Sequence, residues 1–116
     1  MSRRTDRVAE ALQKLIADLL LREIKDPRIG LITVTGVRVS PDLRHARVYF
    51  SCLGDDAKRA ESLRGLRSAA GFVRSQVARS LNLRVAPEII FEFDPSLEQA
   101  ERLSRLLKDT PRRDPE

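Results

Sequence analysis

Apolar residues recur three and four positions apart in three stretches of this chain, and they alternate with polar residues in three others. Spacings of three and four are typical of helices with one buried face, whereas alternation is typical of strands. The first helix is predicted to begin near Ser2 or Thr5, either of which can cap it, and to reach about Ile24. Pro27 and Gly30 then end it. Its predicted buried face carries Val8, Leu12, Leu15, Ile16, Leu19 and Leu20.

Two strands follow, and the turn residues at 40–43 are predicted to join them into a hairpin. In the first strand the apolar phase changes between Val34 and Val37, which indicates a bulge that inserts one extra residue. The second strand separates its side chains cleanly between two faces. Its apolar phase holds Ala46, Val48, Phe50 and Cys52, and its polar phase holds Arg47, Tyr49 and Ser51.

A long helical pattern from Leu63 to Leu81 precedes a third strand, which is centred on Ile89, Phe91 and Phe93. A last helix follows, with a capping-box pattern at its start and leucines at helical spacing as far as residue 107. The long helical region is then a crossover, which suits a third strand parallel to one hairpin strand. The order of elements predicts an α+β domain: a three-stranded mixed sheet with helices on one face.

Gly71 and Phe72 do not fit a straight helix within that long pattern. Glycine costs a helix about 1 kcal/mol relative to alanine. At about 100° per residue, Phe72 points roughly 150° away from the apolar stripe of this region. Either the phenylalanine is exposed or the helix bends. A bend at Gly71 accounts for both residues, so we expect one helix to end near Ala69 and a second to begin near Phe72. The alternative is that Gly71 allows close packing against a neighbouring element.

Length and composition narrow the class of protein. A chain of 116 residues is expected to form one domain, at residues 1–108, followed by a short disordered tail at 109–116. Its single cysteine, Cys52, cannot form an internal disulfide and is interpreted as a small buried hydrophobe. The N-terminal residues lack the apolar core of a secretory signal, and no apolar stretch reaches the roughly 20 residues that cross a bilayer. A cytoplasmic protein without a membrane role is expected.

The charge is localised. The chain has 22 basic and 17 acidic residues, a net charge of +5. Residues 62–84 contain five arginines and no acid, so the remainder of the chain has 17 of each sign and balances to zero. A localised basic region favours a polyanionic partner, because neutralised phosphates release counterions. The alternative is a solvated helix face that keeps the protein soluble.

Candidate catalytic chemistry is sparse. His45 is the only histidine, so a metal cluster or a Cys-His pair would lack members, and no phosphate-binding glycine loop occurs. We predict no enzyme, no metal and no cofactor. Most aromatic rings lie in apolar strand phases and are expected in the core. If nucleic acid is bound, contacts to its backbone should therefore dominate over base stacking.

The ordered set of motifs resembles the bacterial ribosome-binding factor A family, from Arg7 to about Leu107. The resemblance is carried by "RVAEALQKLIADLLLREIKDPRIG", "TVTGVRVSPDLRHARVYFS", "AAGFVRSQVARSLNLRVAPEIIFEFD" and "SLEQAERLSRLL". It implies a type II KH-like domain of order αββααβ, with an added C-terminal helix. In this family an interhelical kink of pattern Ala-x-Gly, here Ala69-Ala70-Gly71, replaces the usual GxxG loop.

The resemblance also implies a function. Such a protein is a non-enzymatic assembly factor that binds the immature small (30S) ribosomal subunit and its 16S rRNA. It supports late maturation and 5′-end processing of that RNA, notably in the cold, and acts without a small-molecule substrate. By analogy with KH domains, amides near the kink could contact phosphates. The chain is expected to be monomeric when free. The candidate RNA-binding residues are Arg64, Arg67, Ala69, Ala70, Gly71, Arg74, Arg79 and Arg84, with Arg7, Arg44, His45 and Arg47 as a second group.

Two other functions remain open from the sequence. The basic region could meet an acidic protein while a sheet edge supports dimerisation, which would make the chain a protein-interaction module. A processing nuclease is the third possibility, although the scarcity of convergent catalytic groups argues against it.

Overall fold

The computed structural model describes residues 3–109, apart from the side chains of Leu97, Glu98 and Asp109. Its order of helices and strands matches the predicted one except in the central helical region. The tail predicted from residue 109 lies outside the described residues beyond Asp109. The elements are α1 (Arg3–Arg22), β1 (Ile32–Val39), β2 (His45–Cys52), α2 (Asp56–Ser80), β3 (Glu88–Phe93) and α3 (Ser96–Asp109).

The three strands form one mixed sheet in the order β1-β2-β3. β1 pairs with β2 antiparallel, and β2 pairs with β3 in parallel, as the crossover through α2 requires. The register shifts between Val34 and Gly36, so the predicted bulge is confirmed. Beyond the bulge, Gly36 lies opposite Tyr49 and Arg38 lies opposite Arg47. The shift keeps the apolar residues of both halves of β1 on one face.

The core lies between that face and two helices. β2 contributes its whole apolar phase up to Phe50, whose ring meets Phe93 of β3 edge to face with centroids 5.9 Å apart. From the other side come buried residues of α1 and α2. α1 and α2 therefore lie on one face, as predicted for the helices, and the opposite face carries the polar phase of the strands. The buried apolar side chains are Leu12, Ile16, Leu19, Val39, Ala46, Val48, Phe50, Leu66, Val73, Val77, Ile89 and Phe91.

The predicted division of the central region into two helices is wrong, because α2 is one continuous helix through Gly71. Its buried residues explain why. At about 100° per residue, Leu66, Val73 and Val77 lie within roughly 40° of one another, so one stripe faces the sheet on both sides of the glycine. The bend was expected to return Phe72 to the core, yet its side chain stays 42% exposed.

α3 does not join the helical layer. Its first amide, that of Ser96, donates to the Asp94 carboxylate at 2.9 Å, and the Gln99 amide donates to the Pro95 carbonyl at 2.8 Å. All of its described side chains are exposed, including the leucines at 103, 106 and 107. The two-layer domain is therefore built by the sheet, α1 and α2.

Candidate nucleic-acid interface

Four candidate arginines project from the outward side of α2. Because the stripe of Leu66, Val73 and Val77 faces the sheet, residues on the opposite side of the helix face solvent. The four arginines are all exposed and span an arc of about 140° at 100° per residue. Arg84, also exposed, follows in the segment between α2 and β3. We call this group the helix surface; it consists of Arg64, Arg67, Arg74, Arg79 and Arg84.

Charge is paired in the first turns of α2 and unpaired afterwards. Arg59 binds Asp56 at 2.8 Å, and the Lys58 ammonium lies 3.8 Å from Glu61. Beyond Glu61 the helix contains no acid. Within residues 3–109, no described carboxylate forms an ion pair with Arg64 or Arg67. The helix surface is therefore a patch of uncompensated positive charge.

Arg74 differs from the rest of the helix surface. Its guanidinium donates to the Ala86 carbonyl, at 3.0 Å from Nη2 and 3.3 Å from Nε. This contact links α2 to the segment that leads into β3. Substitution of Arg74 would therefore change the attachment of that segment as well as the surface charge, which makes Arg64 and Arg67 the cleaner probes.

The predicted Ala69-Ala70-Gly71 contact loses its original rationale. In a continuous helix, the amides of Gly71 and Phe72 donate to carbonyls four residues earlier, so they are not free to bind phosphate. Gly71 is nevertheless exposed, and a Cβ built there would meet no atom within 4 Å. It is therefore not a close-packing glycine. It leaves an open patch of helix beside Phe72, and its contact with RNA stays a prediction.

The second group of candidates is divided between α1 and the hairpin. Arg7 is exposed on α1, and Arg44 is exposed just before β2. His45 and Arg47 lie on the sheet face that α1 and α2 leave uncovered, each beside an acid of β3. The His45 Nδ1 is 3.5 Å from Glu88, and the Arg47 guanidinium is 2.8 Å from Glu92. The sequence candidates thus lie on opposite sides of the sheet.

Sequence reasoning missed Arg38, which the strand register places directly opposite Arg47. The signal was present, because Val37 and Val39 fix Arg38 in the polar phase of β1. Only the register shift at the bulge shows which residue of β2 it meets. The uncovered face of the hairpin therefore carries Arg38, His45, Arg47 and Tyr49.

Among the described residues, three carboxyl groups have a lowered pKa, and in each case the cause is a hydrogen bond with a structural role. Hydrogen bonds from the Arg28 side chain and amide lower the pKa of Asp26, and the Ser40 hydroxyl lowers that of Asp42. The Thr35 hydroxyl donates to Asp94 at 2.7 Å and, with Ser96, lowers the pKa of Asp94. Each of these carboxylates holds a loop or a helix start. The hydrogen bonds of these carboxylates are therefore local structural contacts.

Cys52 and the remaining chemistry add little to the site. Cys52 was predicted to be buried, but its side chain is only half-buried; it packs against the core, and its Sγ lies 3.4 Å from the Ser62 hydroxyl. Among the described residues, no group of His, Cys, Asp or Glu side chains could hold a metal ion. No helix in the described part of the chain is long and apolar enough to cross a membrane.

Comparison with known proteins gives a consistent picture. The sequence profile of ribosome-binding factor A matches residues 4–107. Ribosome-binding factor A of Geobacter metallireducens is 48% identical over 109 residues, which are 94% of this chain and 92% of the relative. A Thermotoga maritima solution structure superimposes with a TM-score of 0.72 and 37% identity, over 79% of this chain and 88% of that one.

A further similar structure comes from a complex. It is a homology model of Thermus thermophilus ribosome binding factor A, fitted into the cryo-EM map of a complex with the 30S subunit. The TM-score is 0.63 at 26% identity, and the match covers 75% of this chain and 91% of that one.

Proposed function

Since this chain belongs to the ribosome-binding factor A family, we propose that it binds the small (30S) ribosomal subunit through the helix surface. The observation that carries the proposal is the run of exposed arginines without acidic partners on α2. A ribosomal subunit is a polyanion, and each phosphate neutralised by an arginine releases condensed counterions. The Thermus relative fitted with the 30S subunit supports this choice of partner.

The finer proposal is a role in maturation. The chain acts on the immature subunit and its 16S rRNA, supports late maturation and 5′-end processing, and matters most at low temperature. It acts in the cytoplasm, as a monomer when free, and positions RNA without a catalytic step. The separation of its candidate residues onto opposite sides of the sheet supports such a positioning role, because two RNA segments could contact one small rigid domain.

The arrangement of arginines favours recognition of RNA by its backbone. The four arginines of α2 span an arc of about 140° around the helix axis, at 100° per residue. This arc is too broad for one bidentate contact and suits several phosphates along a curved strand. Arginine also matches phosphate geometry with two parallel donors. Binding should therefore fall steeply with salt, by a slope that counts the phosphates contacted.

Co-sedimentation with small-subunit precursors tests the proposal. We expect the wild-type chain to sediment with precursors at low salt and the double variant Arg64→Glu/Arg67→Glu to remain largely unbound. A matched control is Lys14→Glu/Lys25→Glu, which makes the same change in net charge with two exposed lysines outside the helix surface. Equal binding by the wild type and the Arg64/Arg67 variant would contradict the assignment of this surface. Equal loss of binding in both variants would mean that binding depends on net charge and not on this surface.

A protein-interaction module remains the second candidate, favoured by the leucines exposed on α3. Leu103, Leu106 and Leu107 are 58%, 58% and 66% exposed. Exposed apolar faces of this kind mark contacts with other proteins. Sedimentation of the chain with purified RNA alone distinguishes the two functions. A chain that does not bind the RNA but dimerises would support the second candidate.

A further inference from the structure

The uncovered face of the sheet holds two arginines in an unfavourable arrangement. The register places Arg38 directly opposite Arg47, and both side chains are exposed. Like charges at opposed positions destabilise a strand pair. Arg47 is compensated by Glu92 at 2.8 Å, but within residues 3–109 no described acid pairs with Arg38. A bound anion between the two guanidinium groups would relieve the repulsion.

Beside this pair is an aromatic ring with open space next to it. Tyr49 is half-buried on the same face, two residues from Arg47 along β2. Its partner in β1 is Gly36, which has no side chain to cover the ring. A Cβ built on Gly36 would meet no atom within 4 Å. The strand pair therefore leaves room beside the phenol that any other residue at position 36 would reduce.

The two arginines and the tyrosine line one shallow groove. Its volume is about 280 Å³, and it is bounded by strand residues and the turn after β1, with no helix taking part. The residues that line it are Arg38, Val39, Ser40, His45, Arg47 and Tyr49. We call it the sheet groove. It brings a flat aromatic ring together with two cations, of which Arg47 is paired with Glu92, and Gly36 leaves open space opposite that ring.

We propose that the sheet groove binds one nucleotide of single-stranded RNA, with its base stacked on Tyr49 above Gly36 and a phosphate between Arg38 and Arg47. An aromatic ring can stack with any base, and guanidinium groups bind phosphate with paired donors. A base inside a duplex is already stacked and cannot reach the ring, so the groove selects an unpaired nucleotide. The inference rests on the proposed function only in taking ribosomal RNA as the natural source.

The chain contains a built-in reporter of this contact. Tyr49 is its only tyrosine, and it has no tryptophan. Intrinsic fluorescence excited in the tyrosine band therefore comes from the sheet groove alone. A base stacked on the ring should quench this emission, whereas phosphates bound to the helix surface on the far side of the sheet should not.

The experiment titrates the full chain with a single-stranded RNA octanucleotide of mixed sequence at low salt. We expect saturable quenching of the Tyr49 emission by this RNA, and none by an RNA duplex of the same sequence or by polyglutamate. Gly36→Val fills the space beside the ring and should weaken binding by at least about fivefold, the lower end of the stacking effect. The matched control Thr33→Val places a valine at an exposed position of the same strand, outside the residues that line the groove, and should leave quenching unchanged.

The variants keep the test decisive. Gly36 does not have a positive φ, and valine favours strands, so the fold is expected to tolerate Gly36→Val; thermal unfolding checks this. Arg38→Gln is the second variant, in which the quenching affinity should fall while Tyr49 stays unchanged. Unaltered affinity in either folded variant would overturn the proposal, as would equal quenching by duplex RNA or by polyglutamate.

Failure of this inference is separable from failure of the proposed function. An Arg64→Glu/Arg67→Glu chain that loses precursor subunits but keeps Tyr49 quenching would support the sheet groove as an independent site. A wild-type chain that sediments with precursors but shows no quenching would overturn the sheet groove and leave the proposed function in place.

Discussion

The two halves of α2, residues 56–68 and 69–80, each contain a glycine but have opposite surroundings. In the first half, Ser62 is buried and its hydroxyl accepts the Gly30 amide at 3.0 Å. Gly65 is buried against the same segment, where a Cβ would lie 2.7 Å from Cγ1 of Ile29. In the second half, Gly71 is exposed with open space around it. One helix therefore contains a glycine that packing requires and a glycine that packing does not require.

This difference separates attachment from ligand binding within one helix. The first half is fixed to the segment after α1, and the basic residues of its first turns, Lys58 and Arg59, are paired with nearby acids. The second half is held by its buried stripe and by the hydrogen bonds from Arg74 to the Ala86 carbonyl, and the outward arginines from Arg64 onwards have no acidic partners among the described residues. A function that needs free positive charge therefore belongs to the outward side of α2 from Arg64 onwards, whereas the buried side of the first half determines how that charge is placed relative to the sheet.

The largest expected effect comes from Gly65→Ala, which attacks the attached half. The added methyl group would overlap Ile29 and touch the Arg28 side chain at 3.4 Å. Overpacking costs about 1 to 3 kcal/mol, and the gain in helix propensity offsets about 1 kcal/mol of this. We expect a net loss of up to about 2 kcal/mol in the free energy of unfolding, measured in urea. A more stable variant would show that this contact is loose.

Gly71→Ala should have a smaller effect of the opposite sign. The new methyl group meets open space, and alanine is the better helix former. We expect the free energy of unfolding to rise by about 0.5 to 1 kcal/mol. Because the substitution is the same as at Gly65, urea unfolding of the pair isolates the effect of surroundings. Destabilisation by Gly71→Ala would mean that α2 needs a bend there after all.

The smallest expected effect is a pH dependence of stability that arises at Asp26, in the segment to which the first half of α2 is attached. Asp26 lies against Gly65 and accepts hydrogen bonds from the Arg28 amide at 2.9 Å and its Nη2 at 2.7 Å. These bonds hold the pKa of Asp26 below its ordinary value of 3.8. The stability that they contribute is present above that value and is lost as the pH falls through the lower folded-state pKa.

Asp26→Asn tests this linkage. The difference in unfolding free energy between the wild type and the variant should shrink as the pH falls from 5 towards 2. Asp42→Asn removes a second carboxyl group of lowered pKa, in the hairpin turn away from α2, and should show the same trend with pH. If the difference in unfolding free energy between the wild type and Asp26→Asn does not change with pH, the role given to Asp26 is contradicted.

Much of the fold could be predicted because alternation and helical spacing are local. The bulge in β1 was visible as a change of phase, and the parallel pairing of β3 followed from the length of the crossover. Whether the helix bends at Gly71 could not be decided from local sequence. Its answer depended on whether Leu66 and Val73 face the same sheet, which a pattern of single residues does not determine.

The candidate site was predictable in part. The absence of acids from residues 62–84 identified the arginines of α2, and the structure places them all on the solvent side. Arg38 was missed because its importance comes from Arg47 across the strand pair, and the bulge changes which residues meet. Tyr49 was placed in the polar phase, but the open space beside it depends on Gly36 in another strand.

NMR titration tests the central claim that the outward side of α2 is the RNA-binding surface. Arginine Nε signals of the 15N-labelled chain would be followed as single-stranded ribosomal RNA is added at several salt concentrations. We predict that the signals of Arg64, Arg67 and Arg79 shift together and return as salt rises. The signal of Arg22, which is paired with Asp18 on α1 at 2.9 Å, should stay in place. RNA binding that moves Arg22 but leaves the three α2 arginines unshifted would contradict the account.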